Sequence, residues 1–458
     1  SAPPVQRRRV GRASGWRRRW GSWLRMLPGL AALGFGVVAY RGWLQARSQI
    51  EALVQYEDKL SLAGDSEVVR GLHASSSYAA MRASEAHLGL PAALPAPDLL
   101  PSGDPPRLLR LTAPEKNVLV ATVRRTFRDS TGQEFAFEIA QRYQSVARGR
   151  WLRMPPAPPA PASPRVWQGR RLAVVYSAAD EAWAKDALPR IDTALKTACQ
   201  TWDCPDDLRI PLIFSGRWEE LPPPPALLRA PPDEPYPIAF DLAPPMYPAP
   251  APLRFRTVAA GIVLPSPHLT GWPSDSAAGE VLTRAVAARL LTALASDLAG
   301  FTSNRQLGRV FVTALVARAE IRSGLSPIAG PEELPPLSPA AYYPPDTLWS
   351  VSGLFPANEK NSARFIQQGR SALSFVNYLL ETHPDVSEAA LLRNPGRAPS
   401  LARWLLDALG GLPNLSGLIA EWEEAALAAF DARHPAATAA FNGLLSVCQG
   451  MPYLQKGG

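Results

Sequence analysis

Histidine is scarce in this chain: five in 458 residues, at 73, 87, 268, 383 and 434, with no two closer than 14 positions. No helix can therefore present two imidazoles one turn apart. That excludes the His-Glu-x-x-His helix, in which paired imidazoles hold zinc and a glutamate polarises the metal-bound water. The three cysteines, Cys199, Cys204 and Cys448, have no histidine close by in sequence and make no zinc set. Glycine never falls into the spacing of a phosphate-binding loop or a dinucleotide fingerprint, and no G-x-S-x-G elbow surrounds a serine. Acidic residues are missing before Glu51, whereas residues 1–47 hold ten arginines. The net charge of +8 is thus a property of the N-terminal segment, and the remaining chain is near −2. A body without a basic surface excludes nucleic acid as its partner.

Proline is abundant instead, 49 residues in clusters that read as linkers and stiff loops. The N-terminal segment carries Arg7–Arg9 and Arg17–Arg19, then an uncharged run from Met26 to Tyr40. That run is about 22 Å of helix, short of a bilayer core of about 30 Å. Trp20 and Trp23 on one side and Tyr40 and Trp43 on the other are interfacial residue types, and Arg25 and Arg41 can reach outward. Counted between the outer tryptophans, the helix spans about 35 Å, enough to cross. The expected arrangement is a basic cytoplasmic tail (1–25), a transmembrane helix (26–44) in contact with membrane lipid, and an extracytoplasmic remainder. The rival reading is a cleaved leader, with Val37 and Ala39 at the cleavage site and Arg18-Arg19 as a twin-arginine signal.

Beyond the membrane, "IEALVQYEDKLSLAGDSEVVRGLHA" has helical periodicity broken at Gly64, with Asp65 placed to cap the next helix. A further helix over 76–88 precedes four strand-like runs, "RLLRLTA", "NVLVATVRRTFRD", "EFAFEIAQRYQSVA" and "RWLRMPP". The middle pair alternate as a half-buried hairpin joined by "DSTGQ". Helices followed by a curved antiparallel sheet resemble the NTF2-like α+β cone, expected over 45–155. The resemblance implies a ligand cone or a spacer, and spacer is the expectation adopted. "PPAPPAPASP" marks a polyproline linker, 156–164.

From 165 to 450 the pattern is strand, helix, strand over "RRLAVVYS", "DEAWAKDALPRIDTALKTACQTW" and "RIPLIFSG". A proline-rich insertion (221–253) and a third strand, "RTVAAGIVLPSP", follow. Helices are expected over 276–299, 305–322, 361–382, 385–392, 399–409 and 414–430, before a tail at 451–458. "GRSALSFVNYLLETHPDVSEAALLR" and "SLARWLLDALGGLPNLSGLIAEWEEAALA" resemble the closing helices of the peptidase MA-like (gluzincin) family, and "VLPSPHLTGWPSD" resembles the loop before its active helix. The resemblance implies a small mixed sheet followed by a mainly helical part. It also puts Arg284, Ala285 and Ala288 where that family has His, Glu and His, and Ala314 near its third ligand. The expected protein is a catalytically degenerate, non-enzymatic relative with no metal and no cofactor, acting as a binding, scaffold or accessory subunit for a protein or peptide partner. The alternative is a membrane-bound, anti-sigma-like regulator with a ligand-sensing ectodomain.

Other chemistry reads as structural. Arg284 and Arg289 on an apolar helix suggest an anion site but more commonly mark a solvent edge. Arg318 and Glu320 read as a solvated face. Ser266 and His268 in "PSPHL" read as a proline-stiffened loop, and the proline tracts 221–253 and 335–345 as surface loops. Cys199 and Cys204 bracket a helix end and either pair locally or stay free, leaving Cys448 without a partner.

Overall fold

The structure, a computed structural model, describes residues 15–87, 99–128, 133–147, 149–156, 164–216, 262–300, 307–326, 342–350, 359–393, 395–411 and 414–433. It is an α+β architecture of an antiparallel half-barrel, a small mixed sheet and a mainly helical C-terminal part.

The first helix, α1 (Gly15–Ala63), runs unbroken for 49 residues. It stops where Gly64 takes φ +79°, a left-handed conformation glycine reaches without strain. Asp65 then accepts the Val68 N–H and caps α2 (Ser66–Gly71), which is followed by α3 (Ser76–His87). Next come β1 (Leu100–Pro101), β2 (Arg107–Glu115), β3 (Val118–Arg128), β4 (Glu134–Ala147) and β5 (Arg150–Met154). β3 and β4 form an uninterrupted antiparallel pair from Val118↔Gln144 to Arg128↔Glu134. β1 and β2 share the free edge of β3, and β5 takes part of the free edge of β4. Odd-numbered residues of β3 and β4 point inward, as the period of two requires. Leu119, Ala121, Val123 and Tyr143 pack there with Ile50 and Val54 of α1. Trp43, expected at a membrane interface, is half-buried against this same cluster.

The second sheet has the order β6 (Arg165–Gln168), β7 (Leu172–Tyr176), β8 (Ile210–Ser215), β9 (Ile262–Pro265). β6 is antiparallel to β7, and β7, β8 and β9 are parallel. α4 (Glu181–Trp202) supplies the crossover between β7 and β8. The central strand β8, "IPLIFS", is an almost continuous apolar run, as expected for a strand covered on both faces. After β9 the chain forms α5 (Pro267–Thr270) and a two-residue strand β10 (Trp272–Pro273). It is then helical through α6 (Ser276–Leu298), α7 (Arg309–Arg322), α8 (Pro345–Trp349), α9 (Glu359–Thr382), α10 (Glu388–Leu392), α11 (Leu401–Leu409) and α12 (Leu415–Arg433).

β10 joins the two parts. It pairs antiparallel with β4, Trp272 opposite Glu138 and Pro273 opposite Phe137, and so extends the first sheet with a strand from beyond the proline linker. Phe127, Phe135 and Phe137 of the first sheet belong to the same apolar cluster as Leu188, Leu290 and Trp404. The hydrophobic core is therefore continuous across the linker. β6 and β10 lie outside the sequence expectations. Two residues carry no readable period, and a proline is tolerated only at an edge such as this one.

Among the described residues, no helix is long and apolar enough to cross a membrane. The expected span 26–44 falls largely on α1 residues whose side chains lie outside those described, as do Trp20, Trp23 and Arg25; Val37, Val38 and Tyr40 are exposed. The linker 157–163, the insertion 221–253, the tract 335–341 and Cys448 also lie outside the described residues.

Candidate functional site

Open α/β sheets bind ligands at the carboxyl ends of their parallel strands, because the crossovers leave a crevice there. In this chain those ends are Tyr176, Ser215 and Pro265. Just past β7, a 3-10 turn (Ala178–Asp180) capped by Ser177 delivers Asp180 to that edge, fully buried. Just past β9 stands Ser266, buried and held by its N–H on the Ser215 carbonyl at 2.8 Å. The Ser266 hydroxyl donates to Asp180 at 2.7 and 2.9 Å, and His268 Nδ1 lies 2.8 Å from Asp180 Oδ1.

A carboxylate can only accept, so His268 directs an Nδ1–H to Asp180, and in the neutral ring Nε2 is the acceptor. The His268 side chain is about half exposed, and its ring lies 4.6 Å from that of Trp272 on β10. This arrangement fixes the tautomer of a surface histidine, as in an acid–base pair. It does not activate a hydroxyl, because Ser266 is turned to Asp180 and not to the imidazole. The sequence reads Ser266 and His268 as a proline-stiffened loop and does not point to Asp180, 88 positions from His268. An aspartate one turn beyond a strand end, ahead of a helix, was the available signal.

The positions matched to zinc ligands lie on neighbouring helices, α6 and α7. Ala285 and Ala314 are buried there, and Ala288 is half-buried. Arg284 is half-buried at the edge of α6. Near it, Glu280 is bonded to Arg190 of α4 at 2.6 Å. That hydrogen bond, against the opposing effect of burial, holds the Glu280 carboxyl below its ordinary range.

Arg318, weighed in sequence beside Glu320, instead reaches α10. Its Nε donates to Glu388 at 2.8 Å, and its Nη1 donates to Asn377. Arg322 Nη2 lies 3.0 and 2.8 Å from the two Glu388 oxygens, and Trp202 Nε1 donates at 3.1 Å. Burial would raise this carboxyl, but the hydrogen bonds from Arg322 and Arg318 hold it below the ordinary range. Two arginines one turn apart on an apolar helix were the signal that a carboxylate had to face them. Cys199 and Cys204 form a disulfide, Cα–Cα 4.8 Å, at the end of α4.

A further polar constellation lies inside the half-barrel, where Glu57 of α1 is fully buried. Arg153 Nη1 donates to it, Arg82 Nε is 3.5 Å away, and His73 Nε2 is 3.4 Å away. Burial pushes the Glu57 carboxyl up, but the neighbouring Arg153, His73 and Arg82 outweigh it and hold the group well below the usual range. Beside it Arg125 Nη1 donates to Asp58, and the buried Tyr143 hydroxyl donates to Gln141 at 2.6 Å. No protein-family model, no curated protein and no solved structure matches this chain.

Proposed function

We propose that this chain is a membrane-tethered, extracytoplasmic, non-catalytic binding protein, a degenerate relative of the peptidase MA-like family preceded by an NTF2-like domain. It serves as an accessory subunit for a protein or peptide partner. The observation that carries the reading is the identity of four side chains on α6 and α7. At the positions where the family resemblance expects ligands and base, the side chains are Arg284, Ala285, Ala288 and Ala314, of which Ala285 and Ala314 are buried and Ala288 half-buried. Metal hydrolysis needs donors aimed at an open coordination position, and alanine and arginine side chains at these positions offer none. The Cys199–Cys204 bond supports the compartment, since such bonds persist outside the reducing cytoplasm. The exposed Val37, Val38, Tyr40 and Leu44 on α1 support the tether. Purification from native membranes in mild detergent, with mass spectrometry, tests it. A stoichiometric partner is expected; a lone protein that hydrolyses peptides in a zinc-dependent manner refutes it.

A second reading rests on Asp180 and His268. A histidine with its tautomer fixed by a buried carboxylate is equipped to move a proton at Nε2. On that reading the chain is a hydrolase without a metal, and His268→Gln abolishes an activity that Arg284→Ala leaves intact. A screen of ester and peptide substrates showing no dependence on His268 removes it.

A further inference from the structure

The half-barrel hangs on α1 without a joint. α1 is one helix from Gly15 to Ala63, and its residues Trp43, Ala46, Ile50, Leu53 and Val54 belong to the apolar cluster of the sheet. The expected membrane span ends at residue 44, so packing against the sheet begins inside the last turn of that span. Two contacts fix which parts of the sheet lie at this level. Arg47 Nη2 donates to the Leu108 carbonyl at 3.4 Å, and Trp151 Nε1 donates to Gln49 Oε1 at 3.1 Å. Residues 47–49 stand about 5–8 Å along the helix beyond residue 44. The headgroup layer on each side of a bilayer is about 5–8 Å thick. The start of β2 and the turn between β4 and β5 are therefore brought to the headgroups.

The residues beside these contacts suit such a layer. Arg41, Arg107, Arg110 and Arg150 are exposed, and among the described residues none of the four guanidinium groups makes an ion pair or a hydrogen bond. Leu44, Leu109 and Val146 are exposed beside them, and Ser145, next to Val146, lies opposite Trp151. The acids on the same segments are Glu51, half-buried on α1, Asp104 ahead of β2, and Glu115 at the far end of β2. Glu115 is itself 3.5 Å from Arg142. Unpaired arginines interleaved with exposed leucine and valine are composed for a lipid surface: the apolar side chains enter the acyl boundary and the guanidinium groups take phosphate oxygens.

We propose that the half-barrel lies on the membrane surface and binds anionic phospholipid headgroups through Arg41, Arg107, Arg110 and Arg150, with Leu44, Leu109 and Val146 in the acyl boundary. This rests on the membrane tether of the reading above. It makes the half-barrel a lipid-contact module in place of a spacer, and it leaves the protein partner to other surfaces of the chain.

The test uses the full chain reconstituted in vesicles of phosphatidylcholine alone or mixed with phosphatidylglycerol, each containing a lipid with a nitroxide on its headgroup. Leu109→Cys, combined with Cys448→Ser, carries a fluorophore that the nitroxide quenches on contact. Val166→Cys, at an exposed position on β6, carries it in a control chain. Quenching at 109 is expected to exceed that at 166, to strengthen with phosphatidylglycerol and to fall at high salt. Each arginine at an anionic surface contributes about fivefold to docking, so Arg107→Gln, Arg110→Gln and Arg150→Gln together should lower it about a hundredfold. Thermal unfolding should be unchanged by these three substitutions, since none removes a side-chain contact of the fold. A chain that floats with neither vesicle refutes the tether, and the docking with it. A chain that floats with both but is quenched no more at 109 than at 166 overturns the docking alone. Quenching that is equal in the two lipids, or unmoved by the triple substitution, overturns the anionic headgroup assignment and gives this face to a protein.

Discussion

Replacing Glu388 by alanine is expected to cost the fold about 3 kcal/mol. The carboxylate on α10 is 6% exposed and accepts from Arg318 Nε, Arg322 Nη2 and Trp202 Nε1, so it ties α10 to α7 and α4. Removing one partner of a buried ion pair costs about 3–5 kcal/mol, most of it the uncompensated charge left behind. Here the arginine side chains are 22% and 33% exposed and can take up water, which places the cost at the lower end. The orphaned Trp202 indole N–H keeps it from falling further, since a buried donor without an acceptor costs about 1–3 kcal/mol. Glu388→Gln retains an acceptor oxygen and loses only the charge, so about 1–2 kcal/mol is expected. Urea unfolding followed by tryptophan fluorescence reads both, with Trp202 inside the contact. The pH dependence adds an independent check. The carboxyl is held below its ordinary value in the fold, so its contribution is complete above the unfolded pKa and is lost as pH falls through the folded one. The gap between wild type and Glu388→Gln should thus be full at neutral pH and close in acid. A Glu388→Ala cost under about 1 kcal/mol, or a gap independent of pH, refutes the reasoning.

Glu57 should give the same sign of acid sensitivity in the half-barrel: Glu57→Gln loses stability at neutral pH and flattens the acid limb, read by circular dichroism between neutral and acid pH. Gly308 has φ +75°, and a Cβ there would lie 2.5 Å from the Trp349 ring, so Gly308→Ala should cost about 2 kcal/mol or more in thermal unfolding. Reducing the Cys199–Cys204 bond, which closes a loop of sequence separation 5, should cost about 2 kcal/mol from loop entropy, read as a lowered urea midpoint under reductant. Asp180→Ala should cost about 2–3 kcal/mol by stranding the buried Ser266 hydroxyl, with Ser266→Ala in the same background recovering part of it in a double-mutant cycle.

Much of the secondary structure was legible because its signals are local. The alternation in "EFAFEIAQRYQSVA" marks β4 at both ends, and the Ser400 cap with Gly410 brackets α11. Gly64 and Asp65 end one helix and start the next by conformations only nearby residues control. The candidate sites were less legible. Asp180 and His268 meet only because β7 and β9 lie on either side of β8 with their carboxyl ends together. Arg318 looked solvated beside Glu320, yet it is committed to Glu388, 70 residues away.

The sequence by itself determined the longer helices and strands, though not β6, β10, α5 or α8, and, through its five isolated histidines, that no histidine-pair zinc helix can form. Only the tertiary structure decided that Trp272 and Pro273 extend the first sheet, that one apolar core runs across the proline linker, and that Arg82, Arg125 and Arg153 converge on Glu57 and Asp58. Periodicity and capping report a residue's immediate neighbours, whereas pairing and charge balance depend on distance in space, which chain position does not encode.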